Sequence, residues 1–382
     1  MIKLSNVTKR YDGASAPVVN GINMEVGAGE ICVLLGPSGC GKTTTLKMIN
    51  RLIQPTSGKI WLEGRDTDEF DVVELRRRIG YVIQQIGLFP NMTVEENMCV
   101  VPSLLGWDKA RAKRRAAELL EIVALDPAIY LSRYPKDLSG GQQQRVGVAR
   151  ALATDPPVML MDEPFGAIDP INRELIQDEF LRIQKQVKKT IIFVSHDIDE
   201  AVKMADKIAI FRGGVIEQFD TPDNILARPA SPFIAGFVGS DRALKRLRLL
   251  CVRDALDASA WAVRVGESST QALAKLAALD TERIVLLDAA DKPLGSLSVA
   301  QLRAIDGTLA AAHASLAAPP ATVNCRDDLR TVVSQMFASG STRLPAIDED
   351  GRFAGYVSQE RIVELLRVNE AATVAAGVKE AA

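Results

Sequence analysis

The stretch ICVLLGPSGCGKTTTL (31–46) decides the reading. ICVLLG is an unbroken apolar run closed by glycine, the pattern of a buried strand feeding a loop. GPSGCGKT (36–43) matches G-x-x-x-x-G-K-[ST] at every fixed position. Leu46, Ile49 and Ile53 then recur at helical spacing over 42–53. Strand, glycine loop and helix in that order make a phosphate cradle. Glycines let backbone N–H groups curl around phosphate oxygens, and the helix N-terminus adds positive potential. Gly36, Pro37, Ser38, Gly39, Cys40, Gly41, Lys42, Thr43 and Thr44 are therefore candidate nucleotide-binding residues. Lys42 is placed to reach the β- and γ-phosphates, and Thr43 to offer its hydroxyl to Mg2+. Alone, the motif indicates a bound nucleoside triphosphate and does not say what the energy is used for.

Around this centre the pattern is mixed. Residues 1–30 alternate apolar and polar between turn residues, as short antiparallel strands do. PPVMLMDEP (156–164) and TIIFVSH (190–196) contain further buried strands, and 109–125 predicts a helix. Strands separated by helices argue for a parallel, helix-covered sheet. MDEP (161–164) sets two acids at a strand end. Asp162 is assigned to Mg2+ and Glu163 to polarising the attacking water.

LSGGQQQR (138–145) adds a serine that can cap a helix N-terminus, again an anion-binding geometry. With the phosphate loop, it resembles the signature of ATP-binding cassette (ABC) ATPases. The resemblance covers about residues 1–240. It implies a RecA-like parallel sheet core with antiparallel β and helical subdomains, and ATP with Mg2+ as cofactors. It also implies that Ser139, Gly140, Gly141 and Gln142 serve ATP held by the phosphate loop of a second copy. Tyr11 lies where the family stacks an aromatic on adenine, and Gln84 where it places a glutamine on Mg2+ and the γ-phosphate. Asp169 in GAIDP fits the family's D-loop, and His196 in SHDIDEA its switch histidine. Catalysis would rest on Glu163, His196 and Lys42, and metal binding on Thr43, Gln84 and Asp162. Cys40, inside the loop, is expected to react with a maleimide unless nucleotide protects it.

The 382 residues are enough for two or three domains. Apolar residues make up 47% and charged residues 25%, so the core needs no disulfide or metal. With 46 basic and 48 acidic side chains, bulk charge excludes nucleic acid as a partner. Cys32, Cys40, Cys99, Cys251 and Cys325 are scattered, without a zinc or disulfide spacing. MIKLSNVTKRYDG lacks the apolar segment of a signal peptide, and no 18-residue apolar window occurs. A transport role would need a pore supplied by another polypeptide. RAKRR (111–115) lacks interleaved aromatics and is expected to be a solvated helix face.

Beyond residue 240, ERIVLLDAADKPLGSLSVAQLR (282–303) aligns with TRLPAIDEDGRFAGYVSQERIV (342–363), a repeat at 60 residues. The pair resembles tandem cystathionine-β-synthase (CBS) modules. Expected divisions are an ABC domain at 1–240, a basic linker at 241–252, modules at 253–306 and 317–370, and a disordered tail at 371–382. Family modules that bind nucleotides end in Ser or Thr, with an Asp two or three residues on that holds ribose hydroxyls, a pattern that a Glu matches only in part. The second repeat has Ser358 and Glu360; the first has Ser298 followed by Val299, Ala300 and Gln301, without an acid. Nucleotide binding and dimerisation therefore both stand open.

An ABC ATPase followed by two such modules resembles the energising subunit of glycine betaine/L-proline (quaternary ammonium) importers, as does GYVIQQIGLFPNMTVEEN (80–97). The resemblance implies a peripheral subunit on the cytoplasmic face of the plasma (inner) membrane, bound to permease subunits through about 85–100. A solute-binding protein would act indirectly. One phosphate loop, one signature and no sustained heptads favour transport over a soluble ABC ATPase on ribosomes or DNA; another amino-acid or osmolyte importer stays open. In DRALKRLR (241–248), Arg242, Lys245, Arg246 and Arg248 accompany a stripe of Leu244, Leu247 and Leu250. This could meet anionic lipid, at about 1 kcal/mol per cation, or be a solvated linker helix.

Overall fold

The computed structural model of the protein describes all residues except 84–86, 167, 259–261, 279–282, 311–320 and 368–382. Gln84 and the expected tail at 371–382 lie outside the described residues. The chain divides into two compact units, 1–225 with 229–237, and 226–228 with 238–382.

In the first unit, β1 (Ile2–Lys9) and β2 (Val19–Val26) precede β3 (Ile31–Leu35) and α1 (Lys42–Ile49). Then follow β4 (Ser57–Leu62), β5 (Arg65–Asp66), α2 (Val72–Arg77), β6 (Ile79–Val82), α3 (Val94–Leu104), α4 (Lys109–Ile122), α5 (Pro127–Tyr130) and α6 (Gly140–Ala151). β7 (Val158–Asp162), α7 (Pro170–Val187), β8 (Thr190–Val194), α8 (Ile198–Met204), β9 (Lys207–Arg212) and β10 (Val215–Asp220) complete the sheets, and α9 (Pro222–Ala227) and α10 (Pro232–Val238) follow. One sheet is antiparallel, in the order β2-β1-β4-β5. The other runs β10-β9-β3-β8-β7-β6 and is parallel except at the β9–β10 edge. β3, β7 and β8 are buried at every position, which explains their unbroken apolar runs. Leu46, Met48 and Ile49 of α1 share one core with both sheets.

The basic face at 111–115 is the outer side of α4, whose Ala112, Ala116, Leu119 and Leu120 point inward. Lys113 pairs with Glu95 at 3.0 Å and Arg111 lies 3.7 Å from the Trp107 ring. Before α3, Asn97 saturates its amide on one loop. Its Oδ1 accepts from the Phe89 N–H (2.8 Å), and its Nδ2 donates to the carbonyls of Phe89 (3.1 Å), Met92 (3.0 Å) and Thr93 (3.0 Å). Arg150 of α6 donates to Gly87 O (2.7 Å) from the other side. The loop is thus held rigid while Phe89 and Met92 stay exposed. Asn97 is fully buried, and Asn97→Ala leaves these part-buried loop groups without their partner, so it should lower the unit's unfolding free energy by about 1–3 kcal/mol. A denaturant midpoint equal to wild type would contradict this.

The second unit contains α11 (Arg242–Arg246), β11 (Leu256–Asp257), β12 (Val263–Arg264), α12 (Ser269–Ala278), β13 (Arg283–Leu287), β14 (Pro293–Ser298) and α13 (Val299–Arg303). It ends with β15 (Val323–Asn324), α14 (Leu329–Ser339), β16 (Arg343–Ile347), β17 (Phe353–Ser358) and α15 (Gln359–Arg367). The 60-residue repeat holds down to register. Val263 faces Leu286 as Val323 faces Ala346, and both hairpins carry their irregularity at the same place, Leu286/Leu287 and Ala346/Ile347. The two hairpins meet through Tyr356, whose hydroxyl accepts from the Val285 N–H at 3.2 Å. Ser298 and Ser358 cap the helices that follow them, accepting from the N–H groups of Gln301 (3.3 Å) and Arg361 (3.1 Å).

Two expectations need correction here. Residues 241–252 are not a free linker: Leu247 and Val252 are buried in the core of the second repeat with Val323, Leu329 and Val357. β11 likewise pairs with β17, so the first module does not start at 253. The basic cluster is not one solvent face either. Arg246 is buried and donates to Leu366 O (3.4 Å), and Lys245 turns to Val238 O (3.0 Å) and Asp241 (2.9 Å). Arg248 remains exposed, and Leu244 is exposed while Leu247 is buried, so no apolar stripe forms. A guanidinium needs carbonyl acceptors when buried, and the chain supplies one to Arg246.

Candidate active site

The phosphate loop leaves β3 and turns into α1 on glycines that no other residue could replace. Gly36 has φ +144°, and a Cβ there would meet Phe211 O at 2.3 Å. Gly41 has φ +106°, caps α1, and a Cβ there would meet Val18 O at 2.7 Å. No side chain caps α1, so its first N–H groups keep their capacity for an anion. Lys42 is buried and curls back, donating to Gly36 O (2.6 Å) and Pro37 O (2.8 Å). Its ammonium already sits inside the loop, held by acceptors that phosphate oxygens can replace. Cys40 is buried as well, with its sulfur 3.7 Å from Lys42 Nζ. Reagent access to its thiol, expected from its place in the motif, is therefore not provided by this conformation.

Thr43 and Asp162 arrive from α1 and from the end of β7, and the Thr43 hydroxyl donates to Asp162 Oδ1 at 2.9 Å. Burial holds the Asp162 carboxyl above the usual carboxylate range, and the neighbouring Glu163 charge adds to this; the Thr43 bond, Lys47 and Lys42 oppose it. Burial, with the Asp162 charge adding, pushes Tyr81 up to about 12. A buried carboxylate beside a hydroxyl, short of positive charge, is an oxygen donor set that suits Mg2+. Among the described residues no cluster of three His, Cys, Asp or Glu forms a metal site built by the protein alone.

Glu163 sits one residue past β7 with φ +45°, a left-handed backbone unusual for a residue other than glycine. Its N–H is held by Val194 O at 3.1 Å. This turn brings Glu163 Oε1 to 3.6 Å from Nδ1 of His196, which leaves β8 largely exposed. Lys42, Thr43, Asp162, Glu163 and His196 thus gather at the C-terminal ends of β3, β7 and β8, where open α/β sheets bind ligands.

Other expected residues lie apart. Ser139 caps α6 in a reciprocal box with Gln142, and Gln142 Nε2 donates to Tyr130 OH at 3.0 Å. Among the described residues, no hydrogen bond or ion pair joins Ser139 or Gln142 to the phosphate loop. A Cβ on Gly140 would meet only open space, and one on Gly141 would meet Ile176 Cδ1 at 2.7 Å. Tyr11 is exposed with Lys9 Nζ 5.2 Å above its ring. Asp169 precedes α7 and its carbonyl accepts from the Arg173 N–H. Sequence reasoning did not single out Glu200, Gln177 and Arg173, which bond directly or in relay to Ser195 and Asp197 on either side of His196. The signal was present: an acid at 200 on a helix face otherwise holding Ala201, Val202 and Met204. In the second unit a cavity of about 720 Å3 is lined by Asp257, Arg343, Ser358, Glu360 and Arg361, among others.

This fold, with the phosphate loop, the acidic strand end and the capped signature helix, defines an ABC-class ATPase, a nucleotide-binding unit. The model of the ABC transporter family matches residues 19–166, and that of the CBS domain residues 315–368. The osmoprotectant import ATP-binding protein OsmV of Salmonella typhimurium is 52% identical over 371 residues, covering 96% of each chain. The glycine betaine/carnitine/choline transport ATP-binding protein OpuCA of Bacillus subtilis is 42% identical, again over 96% of each. The ATP-binding cassette MJ0796, solved as a dimer in a post-hydrolysis state with ADP and Pi, has TM-score 0.52 and 34% identity, covering 58% of this chain and 99% of its own. The chain belongs to the ABC transporter family, as an ATP-binding protein with a C-terminal CBS domain.

Proposed function

We propose that this protein is the ATP-hydrolysing subunit of an importer for quaternary ammonium compatible solutes of the glycine betaine, carnitine and choline type. The observation that carries the cargo class is the full-length likeness to two import ATP-binding proteins, at 52% and 42% identity. Among the described residues no helix is long and apolar enough to cross a membrane, in keeping with permease subunits supplying the path. The protein would sit on the cytoplasmic face of the membrane, with a solute-binding protein acting through the permease.

In this reading two copies enclose two ATP molecules. Lys42 exchanges Gly36 O and Pro37 O for β- and γ-phosphate oxygens, and the N–H groups of the loop and α1 take the remainder. Thr43 and Asp162 hold Mg2+, which when bound neutralises phosphate charge; Gln84 would join them. Tyr11 stacks on adenine. Glu163 accepts the proton of the attacking water while His196 and Lys42 hold charge on the γ-phosphate. Ser139, Gly140, Gly141 and Gln142 face the partner's γ-phosphate, and Asp169 lines the same junction. Closure is passed to the permease through the loop clamped by Asn97 and Arg150. The division into an ABC domain and tandem CBS modules belongs to this reading, with the modules binding a nucleotide or pairing two copies.

The complex reconstituted in vesicles should hydrolyse ATP faster when glycine betaine, carnitine or choline is presented with the solute-binding protein. Stimulation by primary amino acids alone would move the cargo to another class. Hydrolysis indifferent to any permease would remove the transport reading.

A further inference from the structure

His196 is flanked by two residues that are both tied to α7. On one side the Ser195 hydroxyl donates to Glu200 Oε2 and accepts from the Asp197 N–H at 3.1 Å. Glu200 Oε1 accepts from Gln177 Nε2, on α7, at 3.0 Å. Ser195, Gln177 and Glu200 are all buried. On the other side Asp197 Oδ2 stands 3.7 Å from Arg173 Nη1, also on α7. Nη2 of the same guanidinium donates to Ile168 O at 2.9 Å, one residue before Asp169. Asp197 further caps α8, accepting from the Asp199 N–H at 2.8 Å.

A carboxyl is costly to bury unless its oxygens are satisfied. Burial raises the Glu200 carboxyl above its ordinary range, against the bonds from Ser195 and Gln177. What Glu200 adds is a fixed link from α7 to the residue preceding His196.

We propose that Glu200 is a positioning residue for hydrolysis: with Ser195 and Gln177 it aims His196, and through α7 it ties that aim to the loop of Asp169. The proposal rests on the reading of His196 as a γ-phosphate contact. ATP binding draws on residues 36–44 and should survive loss of Glu200, whereas turnover should not. A misplacement of about 1 Å costs about 10²-fold in rate.

The test is a double-mutant cycle in the assembled complex, with kcat and KM measured for Glu200→Leu, Glu200→Gln, His196→Ala and His196→Ala/Glu200→Leu. Radiolabelled ATP keeps residual turnover measurable, and thermal unfolding checks that each variant is folded. Glu200→Leu should lose about 10²-fold in kcat with KM within about twofold. Glu200→Gln should recover most of that loss, since its amide can accept from Ser195 and donate to a turned Gln177. In the double variant, removal of Glu200 should cost nothing further. If Glu200→Leu does not fold, Gln177→Leu carries the same cycle.

An equal cost in both backgrounds, or KM rising as kcat falls, overturns the proposal. Wild-type turnover in His196→Ala would instead sink the underlying reading of His196. Lost turnover in His196→Ala with wild-type turnover in Glu200→Leu removes the positioning role alone.

Discussion

Glu163→Gln should bind ATP as tightly as wild type and hydrolyse it about 10²–10⁴-fold more slowly, the range for removing a positioned base. The expectation follows from where the carboxylate sits. The left-handed backbone at 163 and the bond from its N–H to Val194 O fix it at the strand end, 3.6 Å from His196. An amide fits the same space but accepts no proton from water. Lys42, the loop N–H groups and Thr43 are untouched, so affinity stays. Dimers should accumulate in ATP, visible by size-exclusion chromatography, because the step that reopens them is blocked. Near wild-type hydrolysis would show that another group activates the water.

Ser139→Arg should abolish hydrolysis although, among the described residues, no bond joins Ser139 to its own phosphate loop. In one chain the serine only caps α6, and loss of a cap costs about 1 kcal/mol, too little to stop an enzyme. In the dimer it would face the partner's γ-phosphate, and a bulky side chain there would disable that one composite site, so a dimer with two such substitutions has no working site. Lys42→Ala should be equally inactive for the opposite reason, loss of the ammonium held within the loop. A mixed dimer of the two variants has one site with both groups intact. Mixing should therefore restore activity that neither variant has alone. A mixture as inactive as its components would refute the composite site.

The phosphate loop, the buried strands β3, β7 and β8, the cap at Ser139 and the 60-residue repeat were legible because each is a local pattern with one physical cause. Periodicity and glycine spacing mark them without knowledge of the partner segments. The pairing of β11 with β17 was not legible, since two residues carry no period and their partner lies about a hundred residues away. Arg246 illustrates the same limit. Its charge reads as solvated, yet it is buried with the Leu366 carbonyl among its acceptors. Asn97 looks like an ordinary polar helix residue until the loop it holds is placed beside it, and Glu200, an acid amid Ala201, Val202 and Met204, shows its partners only once α7 and Ser195 are beside it. A role spanning two copies, as proposed for Ser139, would leave in one chain only a capped helix start whose Gly140 borders open space.

The central claim is that ATP hydrolysis by this chain drives solute uptake, and transport itself tests it most directly. Vesicles holding the permease, with this protein and ATP on the face where the subunit docks, should accumulate labelled glycine betaine against its gradient in the presence of the solute-binding protein. Vesicles carrying Glu163→Gln should take up no more than one loading of the complex. Sustained accumulation with Glu163→Gln, or accumulation by wild type without ATP, would contradict the account.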